Sequence, residues 1–416
     1  MAFAPPTIPL TDSGTAATGL PRVVIDLEKL RHINCGLGRF SLYLGRELLG
    51  LAEGRFEPVF FLPRNGEQYF QNSSGVRYDT LRVRPWRKEG VQRWLRPLGR
   101  HLPGITRPDL WHVTNQMSRY LPLDNRVPVV LTIHDLNFLH TRSDDGDAGR
   151  TRRKLADIQR RVDRAAAIVT DSQFVADDLA KHVELAGTPV HVVPLGLTPT
   201  PATADHHPAW LPSGPFAFSV GNFLPHKNFH VLLEMVEYLP DLRLVIAGKK
   251  ATPYGEQVEA MVRGRDLNNR VILPGMVSDA DRQWLYENCA VFLFPSLTEG
   301  FGFPVLEAMQ CGKPVVMSRR TSLPEIAGAE GHFFDTYEPE AMAAVVENVL
   351  HTFASDPKAA DRCRRHAAGF SWRATAEGYA RVYQSVTGRA TSPAHSGNQA
   401  RHGPTAVGTA RPLRAG

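Results

Sequence analysis

Between Pro295 and Pro314 the chain reads Pro295-Ser-Leu-Thr-Glu299-Gly-Phe-Gly-Phe-Pro-Val-Leu-Glu307-Ala-Met-Gln-Cys-Gly312-Lys-Pro314, and this run admits few folds. An apolar stretch from Ala290 to Phe294 leads into it and reads as a strand. Gly300 and Gly302 let the backbone turn sharply and approach a ligand closely. Pro304 suits the first turn of a helix and Gly312 its end. The order is strand, glycine-rich loop, helix. Such a helix start offers unpaired N–H groups and a positive dipole end, which favour phosphate. Glu299 falls in the loop, and Glu307 is expected in the first helical turn. Two carboxylates beside a phosphate site can accept hydrogen bonds from sugar hydroxyls, so the joint reading is a nucleotide-sugar site. The plainer alternative is an ordinary strand-turn-helix connection of an α/β protein.

A chain of 416 residues exceeds one ordinary core, so two domains are expected. With 43% hydrophobic and 22% charged residues, the composition is that of a globular protein. No apolar stretch approaches the ~20 residues of a membrane-spanning helix. The first twenty residues lack the basic start and apolar run of a secretory signal. Cys35, Cys289, Cys311 and Cys363 form no CxxC pair and no metal-ligand spacing, which fits reduced thiols in a cytoplasmic protein.

The net charge of +6 is unevenly spread. Arg82, Arg84, Arg87, Lys88, Arg93, Arg96, Arg100 and Arg107 face a single acid, Glu89, with Trp86, Trp94, Leu95 and Leu98 among them. Such a segment can lie on the anionic inner face of the cytoplasmic membrane, hold a phosphorylated acceptor, or be a solvated helix with a core-facing stripe. No nucleic-acid module accompanies it.

Strands are predicted at Arg22–Leu27, Pro58–Leu62, Leu110–Val113, Val127–Ile133, Ala167–Thr170 and Val190–Val193. Helices at Arg150–Ala165 and Ser172–Lys181 separate some of them. Asn34-Cys-Gly36-Leu-Gly38-Arg39-Phe-Ser41 again reads as a glycine-rich loop between strand and helix. A Pro-, Thr-, Ala- and His-rich stretch over 198–215 reads as a linker. A second series follows: strands at Phe216–Gly221, Leu242–Ala247, Val271–Leu273, Ala290–Phe294 and Pro314–Met317, with a helix at Asn228–Tyr238. The expected fold class is α/β, two doubly wound parallel sheets over 21–197 and 216–369. A last amphipathic helix spans 370–387, and 1–20 and 388–416 are disordered by composition.

The Glu299–Glu307 spacing, its glycines and the following Gly312-Lys-Pro-Val-Val316 closely resemble the donor signature of retaining glycosyltransferases of family 4, which have the two-domain GT-B fold. The resemblance runs from about Arg22 to Val386. It implies that a terminal helix opening with Phe370-Ser-Trp372 crosses back to the first domain. It also implies a nucleoside-diphosphate sugar as donor, a glycan or lipid-linked glycan as acceptor, and neither cofactor nor metal. Cell-surface polysaccharide or lipopolysaccharide synthesis is the implied setting. Glu307 matches the residue that binds the ribose hydroxyls, and Glu299 the one at the transferred sugar. The N–H groups of Gly300, Phe301 and Gly302 are the implied donors around sugar and phosphate.

Gly221-Asn-Phe-Leu-Pro-His226-Lys227-Asn228 matches the family's phosphate-binding turn, with His226 where a second cation is usual. Histidine is only partly charged near neutral pH, so Lys227 carries the assignment, and Asn228 is expected to cap the next helix. Gly36 and Gly38 resemble the glycine loop over the diphosphate. Thr132-Ile-His134-Asp135 matches a His-Asp pair that puts the His beside the donor sugar. Arg39, Asn115 and Gln116 are acceptor-side candidates. His134, Glu299 and Lys227 are the expected catalytic residues. Asp144-Asp145-Gly-Asp147 sits among arginines and reads as a solvated loop. Rival readings are a non-catalytic nucleotide-sugar-binding subunit, or another GT-B enzyme such as a sugar-nucleotide epimerase.

Overall fold

The computed structural model describes residues 19–33, 35–71, 77–83, 107–122, 124–140, 148–198 and 206–388. The linker residues 199–205, the Asp144–Asp147 loop, and most of the basic segment Arg82–Arg107 and of both predicted disordered ends lie outside them.

Two parallel sheets organise the chain. The first holds β1 (Arg22–Asp26), β2 (Glu57–Leu62), β3 (Asp79–Arg82), β4 (Leu110–Val113), β5 (Val129–Ile133), β6 (Ala167–Thr170) and β7 (Val190–Val192), in the order β3-β2-β1-β4-β5-β6-β7. The second holds β8 (Phe216–Val220), β9 (Arg243–Ala247), β10 (Val271–Gly275), β11 (Val291–Phe294), β12 (Val315–Ser318) and β13 (Gly331–Phe334), in the order β10-β9-β8-β11-β12-β13. Every residue of β4, β5, β6, β11 and β12 is buried. Helices cover both faces of such a sheet, so its inner strands are buried throughout, mostly apolar, and do not alternate. The fold class is thus the expected one, two doubly wound α/β domains.

The described helices are α1 (Gly36–Leu51), α2 (Ala148–Val162), α3 (Gln173–His182), α4 (His230–Glu237), α5 (Pro253–Gly264), α6 (Asp279–Asn288), α7 (Phe303–Gln310), α8 (Leu323–Ala327), α9 (Pro339–Ser355), α10 (Ala359–Ala368) and α11 (Trp372–Thr387). Two expectations change here. The glycines at 36 and 38 belong to the first turn of α1, with Cys35 as its N-cap residue, so they do not form a separate loop. Asn228 does not cap α4, whose N-cap residue is Phe229; it ends the 3-10 turn Pro225–Lys227 in the left-handed region, at φ 57°. Its short polar side chain tolerates that conformation.

Helix α11 leaves the second domain and lies on the first. Ser371 caps it, accepting from the Ala374 N–H at 3.1 Å. Thr375 Oγ1 donates to the Pro194 carbonyl at 2.8 Å, and Trp372 stacks on Tyr43 of α1 with centroids 5.4 Å apart. A buried polar chain fixes the rest: Tyr383 Oη lies 2.7 Å from His112 Nδ1, His112 Nε2 lies 2.8 Å from Thr132 Oγ1, and Thr132 Oγ1 lies 2.9 Å from Tyr379 Oη.

Strand order reverses between β1 and β4 in one sheet and between β8 and β11 in the other. In open α/β sheets, ligands bind in the crevice at the carboxyl ends of the strands flanking such a point. The turn with Lys227 follows β8 and the loop with Glu299 follows β11, so both phosphate candidates sit at the second switch point.

Candidate active site

After Phe294 the chain leaves β11, runs through Ser296–Gly302 and enters α7. Gly302 is the N-cap residue of α7 at φ 115°, a conformation that suits glycine. Gly300 is required for closeness: a Cβ there would lie 2.4 Å from the His134 carbonyl oxygen. Among the described residues, the N–H groups of Gly300, Phe301 and Gly302 donate to no backbone carbonyl, as at an uncapped helix start.

Serine and threonine hydroxyls hold this loop. Thr321 Oγ1 accepts the Glu299 N–H at 3.1 Å. Ser322 Oγ donates to the Glu299 and Phe301 carbonyls at 3.1 and 2.9 Å. The Glu299 carboxylate takes the Lys227 ammonium at 2.5 Å and the Ser296 hydroxyl at 2.5 Å. Lys227 Nζ also lies 5.0 Å from the Phe294 ring centroid. Both side chains are only 14% exposed, so the pair attracts more strongly than one in water. His226 is held below its ordinary pKa, first by burial and then by the Lys227 charge. It is neutral at physiological pH and adds no second cation.

Glu307 falls in the second turn of α7, since the helix begins at Phe303. The first-turn expectation failed because Gly302, and not a residue nearer Pro304, ends the loop. One Glu307 oxygen, Oε2, accepts the Tyr286 hydroxyl at 2.6 Å. Burial, then Glu307, pushes the Tyr286 pKa far up, so the phenol stays a donor.

Across the cleft, His134 follows β5 and Asp171 follows β6. His134 Nδ1 lies 2.7 Å from Asp171 Oδ2, and Nε2 lies 2.9 Å from the Thr114 carbonyl oxygen. A carbonyl can only accept, so Nε2 carries a proton. Burial alone would lower the imidazole pKa; Asp171, the Thr114 carbonyl and Asp135 outweigh it and hold it above its ordinary value. With both nitrogens engaged, this His is a fixed, buried donor and not a free base. Gln116 brackets it, accepting the His134 N–H at 3.2 Å and donating to the Asp135 carbonyl at 3.0 Å.

Asn115 is buried; its Oδ1 accepts the Met117 N–H at 3.1 Å, and its Nδ2 has no partner. Arg39 reaches over the cleft to Asp279 of α6 at 3.8 Å. Gly36 has open space on its Cα, while a Cβ at Gly38 would meet the His32 carbonyl oxygen at 2.1 Å. Gly221 packs against the Lys227 side chain, 3.2 Å from Cε to where a Cβ would sit.

The structure therefore brings Gly221, Lys227, Glu299 and the α7 start into one wall of the cleft, and His134 and Arg39 into the other. Asp171, Tyr286, Ser296, Thr321 and Ser322 were missed by sequence reasoning. Asp171 carried the same signal as His134, a polar residue at the carboxyl end of an apolar strand. Tyr286, on α6, carried none. Among the described residues, no three His, Cys, Asp or Glu side chains are grouped so as to hold a metal ion, and no helix is long and apolar enough to cross a membrane.

Comparison with known proteins bears on the family and the fold. The profile described as Glycosyltransferase Family 4 matches residues 36–200, and that described as Glycosyl transferases group 1 matches residues 207–369. The chain is 30% identical over 250 residues to the serotype-specific mannosyltransferase WbdA of Escherichia coli, covering 56% of this chain. It spans only about 30% of that longer relative. To O-antigen chain mannosyltransferase B of Escherichia coli it is 26% identical over 376 residues, covering 84% of this chain and 96% of the relative. In fold it is similar to Anabaena Alr3699/HepE, solved in complex with UDP and glucose, with a TM-score of 0.64 at 15% identity over 88% of this chain and all of that one. Sucrose-phosphate synthase from Thermosynechococcus elongatus gives a TM-score of 0.63 at 18% identity, over 88% of this chain and 99% of that one.

Proposed function

The chain belongs to the glycosyl transferases group 1 and glycosyltransferase family 4 proteins, with the GT-B fold, and on that premise we propose that it moves a hexose from a nucleoside-diphosphate sugar to a glycan or lipid-linked glycan with retention of configuration. The observation that carries this reading is the convergence of Lys227, Glu299 and the Gly300–Gly302 N–H groups at one switch point, with Glu307 one helical turn below.

In this reading the diphosphate lies at the start of α7, where the helix dipole and Lys227 balance its charge. Charge on the leaving phosphate grows as the bond from sugar C1 to oxygen breaks, and preorganised donors act most at that moment. Glu307 offers its second oxygen to the ribose diol while Tyr286 holds the first. Glu299 receives hydroxyls of the sugar. Among the described residues no carboxylate is assigned as a nucleophile, and on this reading attack comes from the side of the leaving group. The acceptor oxygen then bonds to C1 and its proton passes to the departing phosphate oxygen. His134, with both nitrogens held by Asp171 and the Thr114 carbonyl, shapes the first-domain wall and has no N–H left for the sugar.

The names of the relatives make mannose the first sugar to test. A thermal-shift panel of nucleoside diphosphates and their sugars identifies the donor, because a ligand that binds only the folded state raises its stability by mass action. Donor hydrolysis without acceptor separates a transferase from a binding subunit: the former leaks sugar to water, the latter leaves the donor intact. The charge pattern of Arg82–Arg107 supports peripheral contact with an anionic membrane. Salt-sensitive co-sedimentation with anionic vesicles tests it, and protein left in the supernatant at low salt rejects it.

A further inference from the structure

The second domain meets the first at the start of helix α3. Ser172 caps that helix, its Oγ accepting the Val175 N–H at 3.2 Å, and the same hydroxyl donates to the Gly300 carbonyl across the cleft at 3.1 Å. The next two N–H groups, of Gln173 and Phe174, donate to Glu325 Oε1 and Oε2 at 2.8 and 3.1 Å. Glu325 belongs to α8 of the other domain. Nearby, Thr298 Oγ1 lies 2.6 Å from Asn137 Oδ1, another contact across the cleft.

A carboxylate at a helix N-terminus gains from the dipole and from charge-assisted bonds. This one comes from a different domain, so it forms only when the two walls meet. Its segment also grips the donor loop. Thr321 and Ser322 hold Glu299 and Phe301 by their backbones, and three residues further Glu325 reaches the first domain. One short stretch thus ties the closure contact to the loop that would face the sugar.

We propose that Glu325 is a positioning residue: closing onto the start of α3, it sets the Glu299–Gly302 loop against the first-domain wall in the geometry that reacts. This rests on the transferase reading above. Lys227 and Glu307, the charged groups assigned to diphosphate and ribose, lie in the second domain, so their contacts with the donor need no closure. Assembling both walls around the transferred sugar does. Loss of Glu325 should therefore act on turnover and spare donor affinity.

The test compares wild type, Glu325→Gln and Glu325→Ala by calorimetry with nucleoside diphosphates, turnover at saturating donor, and small-angle scattering. Glu325→Ala should lower kcat about tenfold or more and enlarge the radius of gyration. Its affinity for the nucleoside diphosphate should stay within about twofold, since no group that touches it is changed. Glu325→Gln, keeping one acceptor oxygen, should fall between. A compact Glu325→Ala with near-normal kcat overturns the proposal, as does a parallel loss of kcat and affinity, which would make Glu325 a plain structural cap. If Glu325→Ala fails to fold, Glu325→Gln carries the same measurements. If wild type binds no nucleoside diphosphate, the functional reading fails. The scattering comparison then still decides, because an unchanged radius rejects the closure role and a larger one upholds it.

Discussion

The Lys227 ammonium lies 2.5 Å from the Glu299 carboxylate, so the group suited to a phosphate and the group suited to a sugar hydroxyl hold each other. On the proposed reading, a diphosphate would draw the cation toward its own oxygens and leave the carboxylate for sugar hydroxyls. Each partner therefore holds the other in place and keeps either charge from standing unpaired in a half-buried site.

Lys227→Ala is expected to lower turnover more than donor affinity, because its charge matters most as the phosphate leaves. A loss on the order of 2.7–4 kcal/mol of barrier is expected from comparable groups. His226→Ala should cost far less, since burial keeps that imidazole neutral. Steady-state kinetics paired with donor calorimetry decides; near-normal turnover in both variants would place the phosphate grip elsewhere.

Glu307→Ala should weaken donor binding well over tenfold, from charge-assisted bonds of about 1.5–3 kcal/mol each. Tyr286→Phe should weaken it less, because it frees the carboxylate to drift and removes no ligand contact. Calorimetry with the nucleoside diphosphate reads both, and unchanged affinity in a folded Glu307→Ala would sink the ribose assignment.

His112 gives a pH prediction. Burial, then the His134 charge, pushes its pKa down to about 3. The unfolded chain thus takes up that proton first as pH falls. The stabilisation is intact above the ordinary histidine value of about 6.5 and drains away as pH drops toward 3. His112→Phe leaves the Thr132 and Tyr383 hydroxyls without that partner and should cost about 1–3 kcal/mol at pH 8. The gap to wild type should narrow between pH 6.5 and 4.5, by urea unfolding, because the variant has nothing there to protonate. A gap constant with pH would mean His112 takes up its proton with the same pKa in the folded and unfolded chain.

What was legible in the sequence follows from what patterns can carry. Fully buried strands such as β5 and β11 announce themselves as apolar runs. Edge strand β3, Asp-Thr-Leu-Arg, is largely exposed, and β13, Gly-His-Phe-Phe, is short and half-buried; neither has a run to read. The Glu299 loop was legible because its glycines and helix signals are local. The site's supporting shell was not. Asp171 sits 37 residues from His134, and Tyr286 sits 21 from Glu307. Each meets its partner only through strand order, which a single sequence does not state. The placement of Glu307 failed for a smaller reason, the exact residue at which a glycine-rich loop becomes helix.

Gly300→Ala tests the closed cleft directly. The added methyl would lie 2.4 Å from the His134 carbonyl oxygen and 2.9 Å from Asp135 Cβ, both parts of the opposite wall. Neither is the end of a flexible side chain, so the walls must separate. Overpacking of this kind costs about 1–3 kcal/mol, and here most of it should appear as loss of closure, since the domain cores are untouched. Donor affinity should hold while turnover falls at least as far as in Glu325→Ala, and Gly300→Ala combined with Glu325→Ala should be little worse than either alone, because both break the same contact surface. Losses that multiply in the double variant would mean the two residues act separately, with Gly300 serving the donor and Glu325 only the helix.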